Sequence, residues 1–186
     1  MNVIKTNIPG CFEIHPDVIK DERGTFVKTF HRDIFDKHGL TTDFAEEYYS
    51  YSKKGVLRGL HFQLPPHDHI KMVYCVRGRI LDAIVDLRKG SPTFGGYALF
   101  ELSDENAQVL YLGRGIAHGF YALSNEAIVM YKVTTIYAPE HDAGILWNSA
   151  GVPWPDNMPI LSKRDKSFPP LSQFESPFIY AGRKDE

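Results

Sequence analysis

Apolar and polar residues alternate in short runs along the chain, and turn-forming residues separate the runs. Residues 70–76, Ile-Lys-Met-Val-Tyr-Cys-Val, are followed by Arg77-Gly78 and then by 79–87, where the pattern resumes; this spacing predicts a β-hairpin. Residues 97–102, 108–112 and 128–137 predict further strands, divided by the polar segment 103–106 and by Ser124-Asn125. Many short strands at such intervals indicate an antiparallel sandwich or barrel. Helix is scarce: the best stretch is 32–38, with Ile34 and Phe35 apolar and Gly39 set to cap its end. From Gly151 onward, five prolines before residue 171 predict an ordered wrap over the surface. No linker and no repeat interrupts the pattern, so residues 1–186 are read as one domain.

Composition sharpens this reading. A chain of 186 residues can bury a sizeable core, and ten Tyr and twelve Phe beside abundant Val and Ile favour sheet. The net charge of −2, with no block of like charges, excludes an electrostatic footprint for DNA, RNA or an anionic membrane. A small anionic ligand needs only a few local Arg or Lys. The opening Met-Asn-Val-Ile-Lys-Thr lacks the apolar run of a signal peptide, and no apolar stretch approaches membrane-spanning length. Cys11 and Cys75 lie far apart in no CxxC pattern and read as reduced packing residues of a cytoplasmic protein.

Residues 55–63, Gly-Val-Leu-Arg-Gly-Leu-His-Phe-Gln, carry Arg58 and His61 inside an apolar strand. Such an Arg either pairs with a carboxylate of the core or belongs to a site, and the residue types leave both open. Strict alternation puts Arg58 and His61 on opposite faces, so a shared site requires a bend or bulge at Gly59. In residues 113–120, two glycines before His118 fit either a tight turn that delivers an imidazole into a cavity or a hairpin turn with an exposed His. Lys71 shares a face with Val73 and Cys75, for which a solvated face is the simpler reading than a cavity. Tyr131 and Tyr137, six apart, are placed on one strand face with Val133 and Thr135, and packing suffices to explain either alone. Asp82 and Asp86 read as solvent-facing or hydrogen-bonded structural acids.

Several segments carry a combined signature: Asp21-Glu-Arg-Gly24, residues 55–63, Lys71-Met-Val73, residues 85–95, Gly115-Ile-Ala-His-Gly-Phe120, Tyr131-Lys132, Trp147-Asn148, Trp154-Pro155 and Leu161-Ser-Lys-Arg-Asp165. In this order, over nearly the whole chain, they resemble the dTDP-4-dehydrorhamnose 3,5-epimerase family. The resemblance implies an all-β cupin jelly roll, a sandwich or barrel with a few short peripheral helices. It also implies a homodimeric epimerase of deoxysugar biosynthesis that inverts C3, C5 or both in a nucleotide-linked 4-keto-6-deoxy sugar, without a cofactor. By this resemblance His61 is the general base, Asp165 the carboxylate that orients it, Tyr131 the acid on the opposite face, and Lys71 the cation for the enolate oxygen. Arg23, Arg58 and His118 contact the diphosphate or sugar, and Phe26 and Tyr137 flank the nucleotide base. Lys28, Glu46, Tyr48, Gln63, Asp142 and Arg164 complete the expected binding positions.

That cast is chemically coherent. A proton next to a ketone yields to a base of near-neutral pKa, a carboxylate partner fixes the tautomer, and inversion needs an acid across the sugar. Metal-binding cupins carry His-x-His, then Glu and a further His, whereas Gln63 stands two residues after His61 and His67-Asp-His69 follows Pro65-Pro66 in a loop. No metal is expected. Where the family usually reads Gln-Asp-Asn, this chain has Glu46-Glu47-Tyr48; Lys28 replaces a Glu, Gly113 a Pro and Arg164 a Lys. A carboxylate accepts hydrogen bonds but cannot donate, so Glu46 raises the expectation of CDP or GDP in place of dTDP. Two other classes stay open on residues alone: a metal-dependent cupin and a non-catalytic sugar-nucleotide-binding cupin.

Overall fold

The computed structural model describes residues 1–182. In chain order its elements are β1 (Asn2–Lys5), β2 (Phe12–His15), β3 (Val18–Asp21), β4 (Gly24–Val27), α1 (Arg32–Lys37), β5 (Glu46–Lys53), β6 (Leu57–Gln63), β7 (Lys71–Arg77), β8 (Arg79–Asp86), β9 (Tyr97–Ser103), β10 (Val109–Leu112), β11 (Ile116–Ala122), β12 (Glu126–Val133), β13 (Asp142–Gly144) and α2 (Lys163–Ser167). A six-stranded sheet runs β1-β2-β10-β7-β12-β5 and a five-stranded sheet runs β13-β6-β11-β8-β9, while β3 and β4 form a separate hairpin. This is the all-β sandwich that the alternation predicts.

The strands at the centre are apolar on both faces because three cores meet them. Val73, Ile84, Leu110, Phe120 and Val129 fill the space between the sheets. Outside the five-stranded sheet, Leu60, Phe62, Val85 and Ala117 pack under Ile145, Val152 and Phe178 of the proline-punctuated tail. Outside the six-stranded sheet, Met72, Tyr74 and Tyr111 receive Phe35 and Leu40. Helix α1 thus earns its place through packing; its N-cap His31 makes no side-chain cap, Lys37 suits its C-terminal dipole, and Gly39 follows at a positive φ of 65°.

Two expectations fail here. Residues 70–76 and 79–87 do not form a hairpin: β7 pairs with β10 and β12, whereas β8 pairs with β9 and β11 in the other sheet. Gly78 is the crossing point between layers, at φ 78°, and a Cβ there would sit 2.0 Å from the Glu126 carbonyl oxygen. The predicted strand 128–137 ends at Val133, so Tyr137 leaves the sheet and does not share a strand face with Tyr131.

Candidate active site

A cavity of about 490 Å³ lies between the sheets, lined by His61, Arg58 and His118 from the five-stranded sheet and by Lys71, Tyr131 and Tyr48 from the six-stranded one. Arg58 and His61 both reach it because β6 carries a bulge: His118 faces His61 and Phe120 faces Arg58, so Gly59 and Leu60 together oppose the single Gly119. The extra residue flips the alternation. A Cβ on Gly59 would lie 2.5 Å from the Gly119 Cα, so the bulge needs glycine in both strands. Arg58 is exposed and holds the Ser52 hydroxyl (3.0 Å) and the Tyr51 carbonyl (3.0 Å), not a core carboxylate.

His61 Nε2 lies 2.9 Å from Asp165 Oδ1. Asp165 comes from α2, whose N-cap Ser162 accepts the Asp165 backbone N–H at 3.0 Å, and its second oxygen accepts the Gly59 N–H at 3.3 Å. Burial raises the Asp165 pKa, but His61, Ser162 and Gly59 together hold it below the ordinary carboxylate value. Burial pushes His61 down, against the pull of Asp165, with Arg164 and Lys71 adding to the fall, so the imidazole is neutral near pH 7. Arg164 stands 3.0 Å from His61 Nε2, pairs closely with Asp142, and reaches Asp165 at 3.6 Å.

Lys71 is not on a solvated face; it is 8% exposed, and burial lowers its pKa to about 8 against the attraction of Asp82 and Asp142. Neither Asp82 nor Asp86 faces solvent. Asp86 binds Arg88, Ser91 and Thr93 in a structural knot. Asp82 is fully buried, with Oδ2 2.7 Å from His118 Nε2, which makes a second His–carboxylate pair in which His118 lines the cavity. His118 is itself buried in β11, not exposed on a turn. Sequence reasoning missed Asp82 as a site residue, although an acid inside the apolar run of β8 was a usable signal. It also missed Ser50, whose hydroxyl is 3.1 Å from the Tyr131 hydroxyl, and His69, a cavity-lining imidazole that burial and Lys71 push down to about 3.

On β5, Glu46, Tyr48 and Ser50 alternate onto the cavity side. Glu46 accepts the Tyr137 backbone N–H at 3.0 Å, and Tyr137 donates its hydroxyl to Asp142 at 3.3 Å. Gln63 is buried and committed to backbone: it donates to the His67 carbonyl (3.0 Å) and accepts from the Ala138 N–H (2.7 Å), which fixes the loop that carries Tyr137. Arg23, Phe26 and Lys28 are not brought to this cavity. They sit on or beside the β3–β4 hairpin, where Arg23 is exposed and pairs with Asp21. Among the described residues no three His, Cys, Asp or Glu converge to hold a metal ion, and no helix is long and apolar enough to cross a membrane.

Comparison with known proteins agrees with this geometry. The family model described as dTDP-4-dehydrorhamnose 3,5-epimerase matches residues 5–173. A dTDP-4-dehydrorhamnose 3,5-epimerase of Methanothermobacter thermautotrophicus is 45% identical over 175 residues, covering 91% of this chain and 94% of that protein. The Legionella pneumophila dTDP-6-deoxy-D-glucose-3,5-epimerase, solved with dTDP-4-keto-L-rhamnose, superposes with a TM-score of 0.92 at 35% identity, covering 97% of this chain and 99% of that one. The Bacillus anthracis dTDP-4-dehydrorhamnose 3,5-epimerase, solved with TDP and pyrophosphate, gives 0.88 at 40% identity over 91% and 98%. With the sandwich, the cavity and these likenesses in agreement, the chain belongs to the dTDP-4-dehydrorhamnose 3,5-epimerase family, cupin-like isomerases.

Proposed function

We propose that this chain, as one cupin domain, epimerises C3, C5 or both of a dTDP-linked 4-keto-6-deoxy sugar. The carrying observation is His61, bonded to Asp165 at 2.9 Å, in a cavity that Tyr131 and Lys71 enter from the opposing sheet. His61 takes the proton next to the ketone, and the resulting enolate oxygen is met by the Lys71 ammonium. Tyr131 supplies a proton to the other face, and the buried His118–Asp82 pair holds a donor towards the sugar. Arg58 and Arg164 supply positive charge for the diphosphate, with Tyr48, Tyr137, Glu46 and Asp142 shaping the mouth and Gln63 bracing it. The dTDP choice is supported by the relatives solved with TDP or a dTDP-sugar bound, while Glu46 uses one oxygen to accept the Tyr137 N–H at the cavity mouth.

Arg23, Phe26 and Lys28 fit this reading in a homodimer, where the exposed hairpin reaches the partner's cavity; Phe26 is 60% and Ile19 59% exposed, as a surface awaiting cover would be. The reduced thiols of Cys11 and Cys75 suit work in the cytoplasm, and no resident cofactor is invoked. Incubation with dTDP-4-dehydro-6-deoxyglucose in deuterium oxide tests the reaction: NMR is expected to show exchange at C3, C5 or both. Absence of exchange at both carbons overturns the reading. Calorimetric titration with dTDP, CDP and GDP tests the nucleotide, and tighter binding of CDP or GDP refutes the dTDP choice.

A further inference from the structure

Strand β5 is the edge of the six-stranded sheet, and among the described residues β12 is its one strand partner there. Tyr48 and Tyr131 are directly opposed in that pairing, and Val73 of β7 continues the row on the other side. The Tyr48 and Tyr131 rings stack, with centroids 4.9 Å apart and planes 20° from parallel. The His118 ring meets Tyr131 edge-on at 6.1 Å, and Ser50 anchors its hydroxyl at 3.1 Å. Tyr131 is therefore held on three sides. Two of these contacts come from the edge strand, where the ring would otherwise turn towards the cavity mouth and its water. Tyr48 is 43% exposed, against 7% for the ring it covers.

We propose that Tyr48 is a positioning residue that clamps the Tyr131 ring and thereby sets how often the enolate is reprotonated with inversion. This rests on the reading of His61 as base and Tyr131 as acid. In that cycle His61 removes the carbon-bound proton, and the C–H electron pair enters the enolate. For inversion the Tyr131 O–H bond breaks, its proton forms the new C–H bond on the opposite face, and the pair stays on the phenolate oxygen, to which Ser50 donates. The phenolate then regains a proton from solvent and the imidazolium loses one. When Tyr131 is out of line, the imidazolium returns a proton to the face it came from. Deuterium oxide marks both outcomes, since the imidazolium exchanges with solvent: deuterium enters with inversion in the first and without it in the second.

The test compares the parent enzyme with Tyr48→Leu, Tyr48→Ala and Tyr48→Phe in deuterium oxide, using dTDP-4-dehydro-6-deoxyglucose and reading deuterium incorporated per inverted centre by NMR, with thermal unfolding of each variant to confirm folding. Loss of an aromatic stack of this kind is expected to raise the ratio about three- to tenfold in Tyr48→Leu and Tyr48→Ala, while Tyr48→Phe, which keeps the ring, stays near the parent ratio. An unchanged ratio in folded Tyr48→Leu overturns the clamp. His61→Asn separates the two levels. If it abolishes exchange, a failure at Tyr48 concerns the clamp alone; if exchange persists, the base assignment falls and the clamp with it.

Discussion

The replacement Asp165→Asn isolates the carboxylate from its shape. The parent Oδ1 receives the His61 Nε2–H at 2.9 Å and Oδ2 receives the Gly59 N–H at 3.3 Å, so both oxygens act as acceptors. An amide has one acceptor and one donor end. If its oxygen serves Gly59, its NH2 opposes His61 Nε2 and drives the ring proton to Nδ1, the nitrogen the base needs free. Arg164, 3.0 Å from Nε2, favours that same wrong tautomer. If its oxygen serves His61, the NH2 opposes the Gly59 N–H and strains the bulge that aims His61. Losing a hydrogen bond to the imidazolium costs roughly 1.5–3 kcal/mol, or about 10- to 150-fold in rate, and the wrong tautomer has cost about 10⁴-fold in another His–Asp system. We expect kcat to fall about 10²- to 10⁴-fold with KM within about threefold. The assay is initial-rate epimerisation between roughly pH 5 and 9, with solvent deuterium exchange alongside. Because Asp165 raises the His61 pKa, its removal moves the acid limb of kcat/KM to lower pH. A folded variant with kcat within threefold of the parent and an unmoved limb refutes the dyad.

Other expectations follow from the same geometry. Tyr131→Phe is expected to lower inversion about 10²- to 10⁴-fold while His61-driven deuterium exchange at the substrate carbon persists; loss of both together argues against separate base and acid. Lys71 has a folded-state pKa lowered from 10.5 to about 8, so the cost of burying its charge is full below pH 8 and fades as pH rises towards 10.5. Urea unfolding of the parent relative to Lys71→Met is therefore expected to show a gain of up to about 3 kcal/mol between pH 7 and 10.5, and parallel pH curves refute this. In Gly119→Ala a Cβ would lie 2.7 Å from the Arg58 carbonyl oxygen and 2.9 Å from the Gly59 Cα, which predicts a loss of about 1–3 kcal/mol in urea unfolding; unchanged stability would show that the bulge tolerates a side chain.

What the sequence made legible was local. Short apolar and alternating runs located β6 to β10 and β12, and Ile34, Phe35 and Gly39 located α1, because those signals depend on neighbours a few residues away. Sheet membership depends on distant partners, which is why β7 and β8, separated by Gly78 alone, were read as a hairpin. Burial followed the same divide. For Lys71 a solvated face is the simpler reading, and for Asp82 a solvent-facing or a hydrogen-bonded structural acid, since alternation cannot reveal that their common side of each sheet is covered by the opposing sheet. The pairing of Asp82 with His118 spans 36 residues and that of His61 with Asp165 spans 104. The first left only an acid in an apolar strand as its trace. The second came from the order of family motifs, not from any periodicity.

The sandwich itself accounts for why a base and an acid can oppose each other. Inversion at a carbon next to a ketone passes through a flat enolate, which must meet its base on one face and its acid on the other. Two side chains on one strand or one sheet face approach a flat substrate from the same side. Here His61 and His118 rise from adjacent strands of the five-stranded sheet, while Tyr131 and Lys71 descend from adjacent strands of the six-stranded sheet. The layers supply opposition without a moving part. The bulge at Gly59 is what lets Arg58 join His61 on the inner side, so the cation proposed for the diphosphate and the proposed base share one wall. Hence, on the roles proposed above, a perturbation of the bulge and one of the edge strand act on different partners: the first displaces His61, the second releases Tyr131.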